Sequence, residues 1–173
     1  MSKIFIVFLM FFCFTNYAQI FIGNSGVISF FSETPIEDIS AINKKVSAVF
    51  DASTNDLVFQ LEISDFNFPI PLMQEHFNEN YLESDLFPIS NFIGKVVENN
   101  DGNAQVSGQL TIHGVTKNIN VYGIMNNNKG LVEITSEFSV KLEDFNIKIP
   151  KIVMYKIAEV IQINVNIKLK EVI

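Results

Sequence analysis

The stretch that decides the fold spans residues 110–121 and reads LTIHGVTKNINV. Two short runs of alternating apolar and polar residues meet there at a glycine. Because glycine adopts positive φ without steric cost, Gly114-Val115 predicts a two-residue type II′ turn, which places Leu110 opposite Ile119. Side chains alternate between the two faces of a strand. One face of this hairpin is therefore predicted to be apolar and buried, and it carries Leu110, Ile112, Ile119 and Val121.

The same alternation recurs along the rest of the chain. About eight segments read as strands joined by short polar turns, which is typical of an antiparallel up-and-down barrel or a sandwich. Such a barrel is either filled by its own side chains or hollow enough for one small ligand, and periodicity alone leaves both open. The predicted strands are 26–31, 45–50, 57–64, 87–97, 105–113, 116–125, 132–140 and 160–170.

One segment, residues 72–84, changes to helical spacing after two prolines. Met73, Phe77 and Tyr81 recur every four residues and predict one apolar stripe. Glutamates with the same spacing form the opposite stripe, which we interpret as a solvated face: Glu75, Glu79 and Glu83. The sequence therefore predicts one short helix among the strands.

A second hairpin is predicted where Asp101-Gly102 separates two alternating runs, since Asp-Gly is a strong two-residue turn signal. A plain ladder turns Ile93, Lys95 and Val97 inward. A β-bulge turns the intervening residues of the same strand inward instead. We favour the bulge because Phe92 is the better core residue, and it brings Gly94 and Val96 to the same face.

Composition and charge limit the function. The net charge of −7, with no arginine, argues against a nucleic-acid partner, which requires a basic surface. Hydrophobic residues make up 48% of the chain, with seventeen Phe and no Trp. That surplus must enter a signal segment, a large core or a lined cavity.

The N-terminus reads as a secretory signal peptide. Lys3 precedes a short apolar run over residues 4–14, and cleavage is predicted after Ala18. The domains are thus a signal peptide, 1–18, and one barrel domain, 19–173, in a periplasmic or secreted protein. An uncleaved anchor and acylation at Cys13 are the alternatives. The only cysteine lies in the signal segment, so no disulfide is expected within one chain.

The two histidines, His76 and His113, are the candidates for chemistry. A metal site usually needs several His, Cys or carboxylate groups together, and no serine nucleophile motif is present. We therefore expect no metal, no cofactor and no catalytic residue. His113 is predicted to hydrogen-bond neighbouring loops and fix the hairpin turn.

Several motifs together resemble the YceI-like family. They are LTIHGVTK at 110–117, Phe50-Asp51, LMQEHFNENYLES at 72–84 running into Phe87-Pro88, and Gly94. The resemblance covers residues from the first strand to the last. It implies a lipocalin-like barrel with a tunnel between strands and the helix beside its mouth. It also implies a secreted carrier of polyisoprenoids, quinones or other long amphiphiles.

We therefore predict a binding module that carries or sequesters a lipid, and not an enzyme. The alternatives are a hydrolase acting on a lipid or small ester through His76 or His113, and a filled barrel serving as a stress-related interaction protein. The expected partner is a small hydrophobic ligand. The prediction also allows transient contact with a membrane and formation of a homodimer. The residues predicted to contact the ligand are Phe31, Phe50, Phe59, Leu61, Met73, Phe77, Tyr81, Leu110, Ile112, Ile119, Val121, Phe138, Ile163 and Val165.

Overall fold

Eight antiparallel strands close into a barrel within the residues that the computed structural model describes, 19–34, 38–149 and 157–172. Each strand pairs with its neighbours along the chain, and the last pairs with the first. The predicted all-β barrel is confirmed. Its strands are β1 Ile20–Ser32, β2 Ile39–Asp51, β3 Asp56–Glu62, β4 Ile89–Asn100, β5 Asn103–Ile112, β6 Val115–Asn128, β7 Leu131–Lys141 and β8 Val160–Glu171.

One end of the barrel is filled by its own side chains. Inward-facing residues from every strand are buried there, because alternation directs every second side chain to the interior. Phe21 and Phe50 face each other across β1 and β2, with ring centroids 6.0 Å apart. The largest completely buried side chains of this end are Phe21, Val46, Leu57, Val132, Ile167 and Leu169.

The other end is covered by irregular segments and the helix. A 3-10 turn, Ile63–Asp65, follows β3, and another, Leu142–Phe145, follows β7. The helix α1, Pro71–His76, begins at a proline, which is favoured at the first helical position. A π-helical turn, Phe77–Tyr81, continues it.

The predicted helix is therefore present, but it ends before residue 84. Glu83 adopts a left-handed backbone conformation with φ +43°. Its predicted place on a solvated helical stripe is wrong.

The hairpin between β5 and β6 turns one residue earlier than predicted. Ile112 pairs with Val115, so the turn consists of His113 and Gly114, with φ +50° and +70°. Two positive values fit a type I′ turn, and the predicted type II′ turn at Gly114-Val115 is wrong. Leu110 accordingly lies opposite Lys117 instead of Ile119.

The bulge predicted in the preceding strand is confirmed. Asp101 and Gly102 form a two-residue turn, and the β4–β5 ladder shifts between Val96 and Glu98. Phe92 and Val96 are buried, whereas Ile93 is exposed. The extra residue in β4 thus turns Phe92 towards the interior.

The ladder between β6 and β7 stops partway along both strands. It runs from Asn128–Leu131 to Gly123–Ser136 and includes no further pair. β6 nevertheless extends back to Val115, and β7 extends on to Lys141. The two strands therefore diverge and leave a fork in the barrel wall.

The predicted signal peptide, 1–18, lies outside the described residues. Among those that are described, no helix has the length and apolar character needed to cross a membrane.

Candidate functional site: an apolar cavity at the helix-covered end

A cavity of about 500 Å³ occupies the helix-covered end of the barrel. That volume lies within the range of small-molecule sites in proteins, about 300–1,000 Å³. Every strand except β6 contributes to its wall, and α1 with its π-helical turn lies at its mouth. No Asp, Glu or Lys belongs to the part of its lining that the structure describes. The site is built to receive an apolar group.

Four phenylalanines form an aromatic cluster on one side of this cavity. Phe30 comes from β1, Phe66 and Phe68 from the segment after β3, and Phe77 from the π-helical turn. Phe30 and Phe77 are stacked at 5.6 Å, and Phe68 lies 4.9 Å from Phe77 between ring centroids. Rings at these distances attract each other through dispersion and quadrupole interactions. The cluster thus fixes the helical segment against the barrel.

The few polar groups in the cavity are mostly occupied by the protein itself. The Ser90 hydroxyl donates to the Thr111 carbonyl at 2.8 Å, and the Ser32 hydroxyl accepts from the Ala158 amide at 2.9 Å. Burial raises the pKa of Tyr81 above its ordinary value of 10.0, which keeps its hydroxyl neutral. His76 is the one titratable nitrogen group of the described lining, and its side chain is exposed at the mouth.

His113 holds three segments together just outside the cavity. Its Nε2 lies 2.8 Å from Glu83 Oε2, and its Nδ1 lies 3.2 Å from the Phe145 carbonyl oxygen. Its ring also packs edge-on against Phe87 with centroids 4.5 Å apart. The prediction that His113 bonds neighbouring loops and fixes the turn is confirmed.

Half of the residues predicted to contact a ligand line this cavity. They come from three strands and from the helical segment, and they are Leu61, Met73, Phe77, Tyr81, Leu110, Ile112 and Ile163. Four others line a separate space of about 60 Å³ deeper in the barrel, which we call the inner chamber: Phe59, Val121, Phe138 and Val165.

The remaining three line neither space. Phe50 belongs to the filled end, where it packs on Phe21. Ile119 packs against the core from β6. On β1, Phe30 faces the cavity, so its neighbour Phe31 points to the opposite side of the strand and its predicted place in the site is wrong.

Sequence reasoning missed the lining residues outside the alternating strands. Phe66 and Phe68 stand in a proline-containing connection, and Phe145 and Ile147 follow β7. All four have apolar side chains within segments that show no strand periodicity. Large apolar residues in a connecting segment were therefore the available signal that the segment folds over a cavity.

Within the described ranges, no group of three or more His, Cys, Asp or Glu side chains is placed to hold a metal ion.

Comparisons with known proteins point to one family. The model of the YceI-like domain matches residues 23–169. A search of curated protein sequences found no significant match.

Three solved structures share the fold at low sequence identity. A polyisoprenoid binding domain from Saccharophagus degradans superposes with a TM-score of 0.76 at 10% identity, covering 90% of this chain and 100% of that one. BcnA from Burkholderia cenocepacia gives 0.73 at 16% identity, with coverages of 83% and 95%. The Campylobacter jejuni YCEI protein gives 0.69 at 18% identity, with coverages of 82% and 90%. At these identities the likeness establishes the fold.

Proposed function

The chain belongs to the YceI-like domain family, and on that premise we propose that it binds a long-chain lipid, such as a polyisoprenoid or an isoprenoid quinone, in the 500 Å³ cavity. One observation carries the proposal. The described cavity wall is apolar and lacks Asp, Glu and Lys, so an alkyl or isoprenoid tail fits it better than a charged metabolite does. Each buried methylene contributes about 0.8 kcal/mol, so tail burial alone supplies useful affinity.

The rim of the cavity suits a ligand that arrives from a membrane. Ile70 and Leu72 line the cavity, yet they are 42% and 57% exposed. Apolar side chains that are open to solvent at a cavity mouth favour brief contact with a lipid surface. We therefore propose carriage or sequestration of the lipid, with loading through this rim.

The proposed location is outside the cytoplasm, on the basis of the predicted signal peptide at residues 1–18. Fractionation of cells that express the full chain, beside cells expressing residues 19–173 after a start codon, tests this. The full chain is expected in the extracytoplasmic fraction and the shortened chain in the cytoplasm. The same distribution for both would contradict the proposal.

The proposed activity is binding without turnover. Both ring nitrogens of His113 contact other protein groups, which leaves no free nitrogen for a general base. His76 faces the cavity mouth without a serine nucleophile motif elsewhere in the chain. Purified protein is expected to leave lipid esters intact, and ester cleavage that disappears in His76→Ala would contradict this.

The decisive test is native mass spectrometry of protein purified from the compartment in which it accumulates. A bound lipid should appear as a mass increment that dissociates on activation and is recovered in an organic extract. Delipidated protein should then bind an added prenol or quinone. Failure to retain any lipid, together with failure to bind these probes, would overturn the proposed function.

A further inference from the structure

The barrel interior is divided into two spaces. The 500 Å³ cavity and the inner chamber have no lining residue in common among the described residues. On three strands the change from one space to the other falls at a phenylalanine. The cavity-side residues are Leu61, Ser90 and Val140, and the chamber-side residues two positions away are Phe59, Phe92 and Phe138. We call these three rings the phenylalanine partition.

Phe92 is held in the partition by two residues that have no side chain. Gly94 and Gly108 lie directly opposite each other on β4 and β5. A Cβ atom added to either would lie 2.5 or 2.6 Å from Phe92 Cζ, closer than packed carbon atoms approach. The Phe92 ring therefore fills the space that side chains at positions 94 and 108 would need. Phe59 is its cross-strand partner, with ring centroids 6.0 Å apart.

Beyond the partition, the interior reaches the barrel surface. The inner chamber is lined by residues at the fork between β6 and β7, among them Tyr122, Gly123 and Ser136. The same residues line a wide groove of about 870 Å³ on the outside of the barrel. The rings of the partition thus stand between the ligand cavity and a space that adjoins solvent through the side wall.

We propose that the phenylalanine partition is a length stop that sets the longest lipid tail the cavity accepts, with Phe92 as the residue that determines specificity. This inference rests on the proposed function. The tail enters beside α1, runs along Leu110 and ends on the Phe92 ring. The walls beyond Phe92 are also apolar, including Val106 and Val121. The rings interrupt a path that would otherwise continue to the fork between β6 and β7.

The experiment measures affinity against chain length. Delipidated wild-type protein and Phe92→Ala are titrated with linear prenols that lengthen by one isoprene unit at a time, and binding is followed by calorimetry and native mass spectrometry. Wild-type affinity should rise with length, by about fourfold per buried methylene, and then level off. In Phe92→Ala the affinity should level off only at prenols that are at least one isoprene unit longer.

A matched control removes a phenylalanine ring at the cavity mouth instead of one in the partition. Phe68→Ala should change the affinity for all prenols while leaving the levelling length where it is in the wild type. Phe138→Ala, on a different strand, tests the partition independently if Phe92→Ala does not fold.

An unchanged levelling length in the partition variants would overturn the length stop and leave the proposed function standing. Absence of prenol binding by the wild type would instead overturn the proposed function itself.

Discussion

The His113 imidazole lies 2.8 Å from the Glu83 carboxylate, across thirty residues of sequence. The His113 side chain is 10% exposed and that of Glu83 is 44% exposed. The other ring nitrogen faces the Phe145 carbonyl oxygen. Both partners offer acceptor oxygens to the ring, one at each ring nitrogen. Leu82, Phe145 and the hairpin turn are thereby fixed around the cavity.

Removal of this ring should destabilise the protein. His113→Ala removes the ring nitrogens that contact the Phe145 carbonyl and the Glu83 carboxylate, and loss of such buried polar contacts typically costs about 1–3 kcal/mol. Urea unfolding measures the change. The matched control is His76→Ala, an exposed histidine, for which a change within about 0.5 kcal/mol is expected. Equal losses in the two variants would contradict a structural role for His113.

A double-mutant cycle isolates the pair from the rest of that loss. His113→Ala, Glu83→Ala and the double variant should give a coupling free energy of about 0.5–3 kcal/mol. Additive effects would show that the contact itself contributes nothing to stability.

The buried face of the central hairpin could be predicted from sequence, but its turn could not. Gly114 is compatible with either central position of a primed turn. Moving the turn by one residue shifts the pairing by two, which keeps every side chain on its predicted face. The observed turn needs positive φ at His113, and the contacts that hold His113 there come from Glu83 and Phe145. Those residues are distant in sequence, so local patterns carry no signal for them.

Two further differences have physical causes of the same kind. In the pair Phe30-Phe31, a two-residue period cannot tell which ring faces inward, because β1 shifts register twice between Gly23 and Ile28. The helical spacing continues to Glu83, yet the backbone leaves the helix there, and the amides of Leu86 and Phe87 bond to the Glu83 carbonyl. Tertiary contacts determine which face of a strand points inward and at which residue the helix ends. The position of the cavity depends on both.

The turn glycine should be more sensitive than a comparable glycine elsewhere. Gly114→Ala places a Cβ 2.7 Å from Phe87 Cε1 and forces alanine into a left-handed conformation, at roughly 1–2 kcal/mol for the backbone alone. Gly102→Ala has the same backbone cost, but its Cβ meets only the end of the exposed Asn126 side chain. Gly114→Ala should therefore lose more unfolding free energy in urea. A smaller loss than that of Gly102→Ala would contradict this packing.

Acid should weaken the turn between β2 and β3. Hydrogen bonds from the Ser53 hydroxyl and amide, at 2.6 and 2.8 Å, lower the pKa of Asp51 below its ordinary value of 3.8. Because the folded-state pKa is the lower one, the contribution of Asp51 to stability is complete above the unfolded value and disappears as the pH falls through the folded value. Urea unfolding of wild type and Asp51→Asn should show a difference that shrinks over that range.

The control for this titration is Ser53→Ala, which keeps the carboxyl group and removes its hydroxyl donor. It should move the pKa of Asp51 back towards 3.8 in an NMR titration. No movement would assign the lowered pKa to another cause.

Filling the cavity should block lipid binding without unfolding the barrel. Ile112 lines the cavity near the end of β5, and Ile112→Trp places a larger ring into the space a tail would occupy. A bound tail would have to share this space with the indole ring. Overpacking of that kind typically costs about 1–3 kcal/mol, so prenol affinity should fall roughly tenfold or more in calorimetry. Ile93→Trp is the matched control, because Ile93 is 57% exposed on the outer face of β4 and its substitution should leave affinity unchanged. Equal affinities for the two variants, both folded by circular dichroism, would place the ligand elsewhere.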